Sequence, residues 1–286
     1  SYPLCETLTV NKINHAEAVG EKIMIELYHF WSSVCSVKVR MCLEEKGVEW
    51  QSRYVDLFRF DQLRPEYLAI NPDGVVPTLV HDGQPVHESS IINEYIDDAL
   101  PGPGLSPPNP LQRARMREFV KICDEGLPAI ALPTMVKYLL PKLRKRWGDD
   151  ELNKRSEQRP TEHYRGMFRR GLAGQVSEAE LQKCFERIGS ILDRMEAYLA
   201  DGGPWIVGEF SLADIAVAPY LFRLSALGED RFWSPTIRPR VADWYNKILE
   251  RESFTKAVSW PDENGTGYEE VGLHASLPTD GRSVSP

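Results

Sequence analysis

Residues 25–57, IELYHFWSSVCSVKVRMCLEEKGVEWQSRYVDL, decide the fold. IELYHF, 25–30, predicts a short strand. The polar run SSVCS, 32–36, interrupts it. VKVRMCLEEKG, 37–47, then predicts a helix, with Ser36 as its N-cap and Gly47 as its C-cap. EWQSRYVDL, 49–57, predicts a second strand. Strand, helix and strand joined by short links point to a parallel pair with a crossover helix.

Downstream, residues 58–72 predict a polar, aromatic connection with a short helix. PTLVHDGQPVHES predicts a hairpin, strand 78–81 against strand 85–88, because Asp82-Gly83 is a strong short turn signal. SIINEYIDDAL, 90–100, predicts a helix. The order over 24–100 is thus β-α-β followed by β-β-α. Residues 101–110, PGPGLSPPNP, hold five prolines and two glycines, a composition that helix and strand interiors reject. They predict a linker. Beyond it LQRARMREFVKICDEG, ELQKCFERIGSILDRMEAYLA, SLADIAVAPYLFRLSALG and RVADWYNKILER space apolar residues at three to four, so 111–260 predicts an all-helical domain. Pro128, Pro133 and Pro141 are expected to kink or break its first long helix. Residues 1–23 predict an N-terminal extension, and 261–286, rich in Gly, Ser, Pro and acidic residues, a loose tail.

Composition narrows the function. The 286 residues carry a net charge of −8, which argues against a general nucleic-acid or anionic-membrane binder. No apolar run reaches the ~18 residues of a membrane span. Residues 1–23 lack the basic and apolar regions of a signal peptide, so the cytoplasm is the expected compartment. Cys5, Cys35, Cys42, Cys123 and Cys184 form no CxxC pair, and the six histidines show no HExxH spacing, so no metal site is expected.

Four segments could carry chemistry. Ser32 to Ser36 lie between strand and helix, where outward backbone N–H groups and the helix dipole favour a thiolate or a hydroxyl donor; helix capping is the plainer reading. Val76-Pro77 follows the turn Asn71-Pro72-Asp73-Gly74, and its peptide bond is a cis candidate, although spacing alone favours trans. Glu88 can accept from an ammonium group, while Ser89 at a helix start can bind a carboxylate, a pairing that suits the zwitterionic end of an amino acid. Ser211 and Asp214 read as a capping box. Residues 142–170 hold ten Lys and Arg against five Asp and Glu, read as a solvated helical face or an anion-accepting rim.

Taken in order, LYHFWSSVCSVKVRMCLEEKG, NPDGVVPTL, HESSIINEYID and FSLADIAVAPYL resemble the cytosolic glutathione transferases over about residues 24–260. The resemblance implies a thioredoxin-like α/β N-terminal domain, an all-α C-terminal domain and a cis bond at Val76-Pro77. It implies that Glu88 and Ser89 hold the γ-glutamyl end of glutathione and that the Val76 backbone, beside Pro77, pairs with the cysteinyl unit. It also implies a homodimer. Tyr28 lies inside the first strand, so the segment is of a serine or cysteine type.

SSVCSVKVR is similar to the SSCS-x-[RK]-VR run of the maleylacetoacetate isomerase class, with Val34 in place of a second serine. It is also similar to the S-x-C-S-x-K run of bacterial tetrachlorohydroquinone reductive dehalogenases. A third similarity is to the glutathione-dependent β-etherases of lignin-degrading bacteria, which carry a comparable insertion in the helical half. These similarities imply Ser33 or Ser36 as the activating hydroxyl and Cys35 as a thiol-exchange group. Free thiol has a pKa of about 8.5, so a donor that lowers it by about 1–2 units, roughly 1.4–2.7 kcal/mol, suffices to arm glutathione. The expected reaction is attack of glutathione on a small aromatic electrophile, with β-aryl ether cleavage first and dehalogenation or isomerisation of a quinone-like ring second. A non-catalytic glutathione-binding or regulatory role is the rival. The basic stretch could stabilise a phenolate leaving group. Phe30, Trp31, Phe119, Met135, Tyr138 and Leu139 are the expected pocket residues.

Overall fold

The computed structural model describes residues 24–259. The extension expected at 1–23 and the tail expected at 261–286 lie outside the described residues. Strand β1, Ile25–His29, lies centrally in a four-stranded sheet of order β2-β1-β3-β4. It pairs parallel with β2, Gln51–Tyr54, and antiparallel with β3, Thr78–His81, which turns back into β4, Gln84–Val86. Both outer strands are shorter than the sequence predicts, and the short, half-exposed β2 limits open-edge pairing.

Helix α1, Val34–Lys46, crosses between β1 and β2. It begins three residues earlier than expected, and its N-cap is Ser33, not Ser36. The reason is local. Ser33 has an extended backbone and its hydroxyl accepts from the Ser36 amide at 3.3 Å, while the Ser36 hydroxyl is turned back to accept from the Phe30 amide. Gly47 ends the helix at φ 66°, a left-handed conformation that glycine tolerates. The connection to the hairpin contains a 3₁₀ turn at Asp61–Leu63 and the one-turn helix α2, Pro65–Leu68. Helix α3, Ser89–Ala99, packs against α1.

The segment after α3 runs through successive bends to Asn109, which caps α4, Pro110–Thr134. Leu105 within it is buried and hydrogen-bonds Asp97 and Leu212, so the segment is fixed to both halves. Helix α4 passes through Pro128 and Pro133 without ending. The strain is absorbed just beyond, where Thr134 bonds back to the Ile130 carbonyl and Met135–Leu139 take a π turn. Pro141 follows directly, at the start of α5, Leu140–Trp147, which continues the same rod without a break. Helices α6, Asp149–Glu157, and α7, Glu162–Leu172, follow, then the long α8, Glu178–Gly202. Helix α9, Leu212–Ala226, starts on the expected capping box of Ser211 and Asp214. Helices α10, Pro239–Leu249, and α11, Glu252–Val258, complete the described chain.

The main core joins α1, α3 and β1 to α4, α8, α9 and α11. A smaller cluster, Phe60, Met135, Leu140, Leu143, Leu152, Phe168 and Leu172, packs α5–α7 onto the loop after β2. The Trp147 indole N–H donates to the Phe58 carbonyl at 2.8 Å in the same place. This second core positions α7 over the start of α1.

Candidate active site

The loop between β1 and α1 is held from below by one buried arginine. Arg40 donates to the carbonyls of Phe30 at 3.2 Å and Trp31 at 2.6 Å, and to Ala257 of α11 at 2.9 Å. It also faces His29 Nδ1 at 3.0 Å, and His29 Nε2 meets the Ser52 hydroxyl at 2.8 Å. A guanidinium only donates, so Nδ1 is the acceptor and Nε2 carries the proton. Burial, with the Arg40 charge beside it, lowers the His29 pKa to about 2.

Three residues at the head of α1 differ in what their side chains can do. Ser33 lines the cleft described below at the positive end of the helix. Ser36 is fully buried and its hydroxyl is engaged with Phe30, away from the cleft. Cys35 also lines the cleft. Burial pushes its thiol pKa up, although the Lys38 ammonium and a hydrogen bond from Ser89 pull it back. Lys38 is itself buried, bonding the Ser90 hydroxyl at 2.9 Å and Asp124 of α4 at 3.0 Å.

Opposite this helix start, the Val76-Pro77 peptide is cis. The loop leading to it is pinned by Asn71 Nδ2, which donates to the Val75 carbonyl at 3.1 Å and to the Thr78 hydroxyl at 2.9 Å. The Tyr67 hydroxyl donates to the same carbonyl. Gly74 has φ 61°, and a Cβ there would lie 3.2 Å from both the Gln62 carbonyl oxygen and Pro160 Cδ, so the turn demands glycine. Glu88, heading α3, is exposed and holds φ 66°, a strained conformation for a residue with a side chain. Its neighbour Ser89 is buried at the helix start and reaches Cys35.

Between these two loops and the helices above lies a cleft of about 240 Å³. Of the residues singled out in the sequence, Phe30, Ser33, Cys35, Val76, Met135, Tyr138 and Leu139 line it. Trp31 and Phe119, expected in the pocket, do not. Trp31 is turned into a side crevice with Pro219 and Phe222. Phe119 lies on the α8 side of α4, fully buried with its ring 5.5 Å from Tyr198. The cleft wall also includes residues that were not singled out individually: Leu127 and Thr134 of α4, His163 and Tyr164 of α7, Arg223 of α9 and Arg159. Burial raises the Tyr164 pKa, and Cys35 and Glu88 add to the effect, so its phenol looks onto both loops. Among the described residues, no group of three or more His, Cys, Asp and Glu side chains could hold a metal ion, and no helix is long and apolar enough to cross a membrane.

Two protein-family matches divide along the same line as the cleft. Residues 32–99 match the family "Glutathione S-transferase, N-terminal domain" and residues 178–247 match "Glutathione S-transferase, C-terminal domain". Protein LigF of Sphingobium sp. strain SYK-6 is 31% identical over 236 residues, 79% of this chain and 90% of that protein. The crystal structure described as β-etherase LigF superposes with a TM-score of 0.74 at 27% identity, covering 82% of this chain and 98% of the other. The maleylacetoacetate isomerase of Pseudomonas aeruginosa is 30% identical over 77% of this chain and 90% of its own length. The tetrachloro-p-hydroquinone reductive dehalogenase of Sphingobium chlorophenolicum is 28% identical over 84% of this chain and 98% of its own.

Proposed function

The chain belongs to the glutathione S-transferase family, and from that premise we propose that it cleaves a β-aryl ether with glutathione. Glutathione lies along the two loops. Glu88 takes its γ-glutamyl ammonium, Ser89 and the start of α3 take the adjoining carboxylate, and the Val76 backbone beside Pro77 pairs with the cysteinyl unit. Ser33 donates to the sulfur and holds it as thiolate. The thiolate attacks the ether-bearing carbon adjacent to a ketone. The C–S bond forms, the C–O bond breaks, and the electron pair leaves with the phenolate, which then takes a proton from water. Phe30, Met135, Tyr138 and Leu139 supply the apolar wall for the ring.

The observation that carries this reading is the division of labour at the head of α1. Ser33 opens on the cleft, whereas the Ser36 hydroxyl is committed to Phe30. A reductive dehalogenase or isomerase of a quinone-like ring is the second reading, favoured by Cys35 in the same cleft. Its thiol is pushed up by burial, which disfavours the thiolate that exchange needs. We place the enzyme in the cytoplasm as a homodimer. Cys35, Cys42, Cys123 and Cys184 are free thiols, as a reducing compartment maintains, and Ile91 on α3 is an exposed apolar residue that a second copy could cover. Incubation with glutathione and a β-aryl ether ketone should release the phenol and leave the glutathione thioether. No phenol release, with glutathione bound, overturns the etherase reading. A monomer by sedimentation at micromolar concentration overturns the dimer.

A further inference from the structure

Of the ten Lys and Arg side chains in residues 142–170, only Arg159 is buried, at 8% exposed. Arg144, Arg155, Arg165, Arg169 and Arg170 pair with carboxylates on the surface. Arg159 has no carboxylate partner among the described residues, and its Nε is buried without a hydrogen-bond partner. Its contacts are aromatic. The Phe168 ring lies 3.9 Å from Cζ and the Phe60 ring 5.5 Å away. Stacked rings cover the faces of a guanidinium and leave its N–H donors in the plane, where the Arg159 Nε is buried without a partner.

Those donors belong to a residue of the cleft wall. The neighbouring Pro160 lies against the Gly74 turn, and Arg159 shares the cleft wall with Gly74, Val75 and Val76. Gln62 lines the same cleft, fully buried, and its Oε1 also lacks a partner. A buried cation and a buried acceptor, both unsatisfied, are costly unless a ligand completes them. We propose that Arg159 is the floor of a carboxylate-receiving subsite, with Gln62 accepting from an N–H or O–H beside that carboxylate. The inference rests on the glutathione-transferase reading of the cleft and adds the charge of what binds there. Burial brings the Arg159 pKa down to about 10, which leaves the group charged at neutral pH.

The carboxylate has two possible sources, the glycyl end of glutathione or an acid group on the aromatic electrophile. Calorimetry on wild type and Arg159→Met separates them with three compounds: S-benzylglutathione, S-benzyl-γ-glutamylcysteine, which lacks the glycine, and S-(4-carboxybenzyl)glutathione. If the glycyl carboxylate is held, Arg159→Met weakens both glutathione conjugates roughly ten- to hundredfold, the scale of a charge-assisted hydrogen bond, and spares the des-glycine compound. If the electrophile's acid is held, only the carboxybenzyl conjugate weakens. The ligand-free variant should unfold at the same or a higher temperature, since an unpaired buried charge has been removed. Unchanged affinity for all three overturns the subsite. So does a lowered unfolding temperature with an equal loss for all three, which marks Arg159 as a packing residue. A wild-type chain that binds none of them overturns the glutathione reading, and the subsite with it.

Discussion

Arg223, in the last turn of α9, donates from its guanidinium to the carbonyl oxygen of Ser32. A helix of the C-terminal half thereby holds the residue just ahead of the Ser33 hydroxyl. The same guanidinium stacks on the Tyr138 ring, 4.7 Å from its centroid, so one side chain sets both the helix start and the cleft wall. Arg223→Met is expected to cost about 1.5–3 kcal/mol of stability, the scale of a buried bond to a charged donor. It should also lower kcat more than it raises KM, because Ser33 would lose its support rather than its proposed contact with glutathione. Denaturant unfolding and steady-state kinetics check this; an unchanged kcat would show that Ser33 needs no such brace.

Ser33→Ala removes both a helix cap and the proposed thiolate donor. The cap is worth about 1 kcal/mol of stability. Loss of an electrostatic donor should lower kcat roughly 10–1000-fold. Cys35→Ser should leave turnover of an aryl ether largely intact. Mass spectrometry during turnover gives the opposite sign: a Cys35–glutathione adduct, with a stalled conjugate in the serine variant, would transfer the chemistry to the thiol.

Glu88→Ala should weaken glutathione binding by about 1.5–3 kcal/mol, measured by calorimetry. Glu88 is exposed and its backbone lies at φ 66°, in the left-handed region. The alanine variant keeps the strain and loses the acceptor. Equal affinity in the two proteins would remove Glu88 from the site.

Stability should fall in mild acid through His29. In the fold it stays neutral down to about pH 2, whereas in the unfolded chain it protonates near its ordinary 6.5. Below that value the unfolded state binds the extra proton, so its share of stability is complete above about pH 6.5 and declines as pH falls towards 2, by up to about 1.4 kcal/mol per pH unit. His29→Gln should be less stable at pH 7 but show a flatter dependence between pH 4 and 6.5 in urea titrations, with those pH limits set approximately by the unfolded-state value. Parallel slopes for the two proteins would exclude His29 as the acid-sensitive group.

Much of this architecture is legible in the chain itself. Asp82-Gly83 marks the hairpin, Gly47 closes α1, and the proline-rich run at 101–110 leads into helices alone, because each is a local rule of backbone geometry. The head of α1 is harder. Ser33 and Ser36 are equally good caps by composition, and only the demand of the Phe30 amide for a partner decides between them. The cleft is harder still. Phe119 and Met135 lie on a continuous helical rod, and which face of it meets α8 depends on packing that spacing cannot phase. Arg159 sits among nine other cations in sequence, and its burial is created by Phe60, about a hundred residues earlier, and Phe168. Tyr164 and Arg223 carry no motif; they reach the site because the second core and α9 bring them there.

The π turn at Met135–Leu139 has a consequence for how such a cleft could be lost or remade. A π turn accommodates one residue more than the α-helix around it. Deleting that one residue would restore a uniform helix and leave α5 in phase, because the extra residue is what the wide turn absorbs. Deleting one from the regular turns of α4 would instead rotate everything beyond by about 100° at 3.6 residues per turn. Helices α5 to α7 would then swing as a unit, carrying Arg159 and Tyr164 out of the cleft. Point substitutions in the wall can only reshape the lining. The π turn is thus the place where this wall can change its length by one residue and keep its facing.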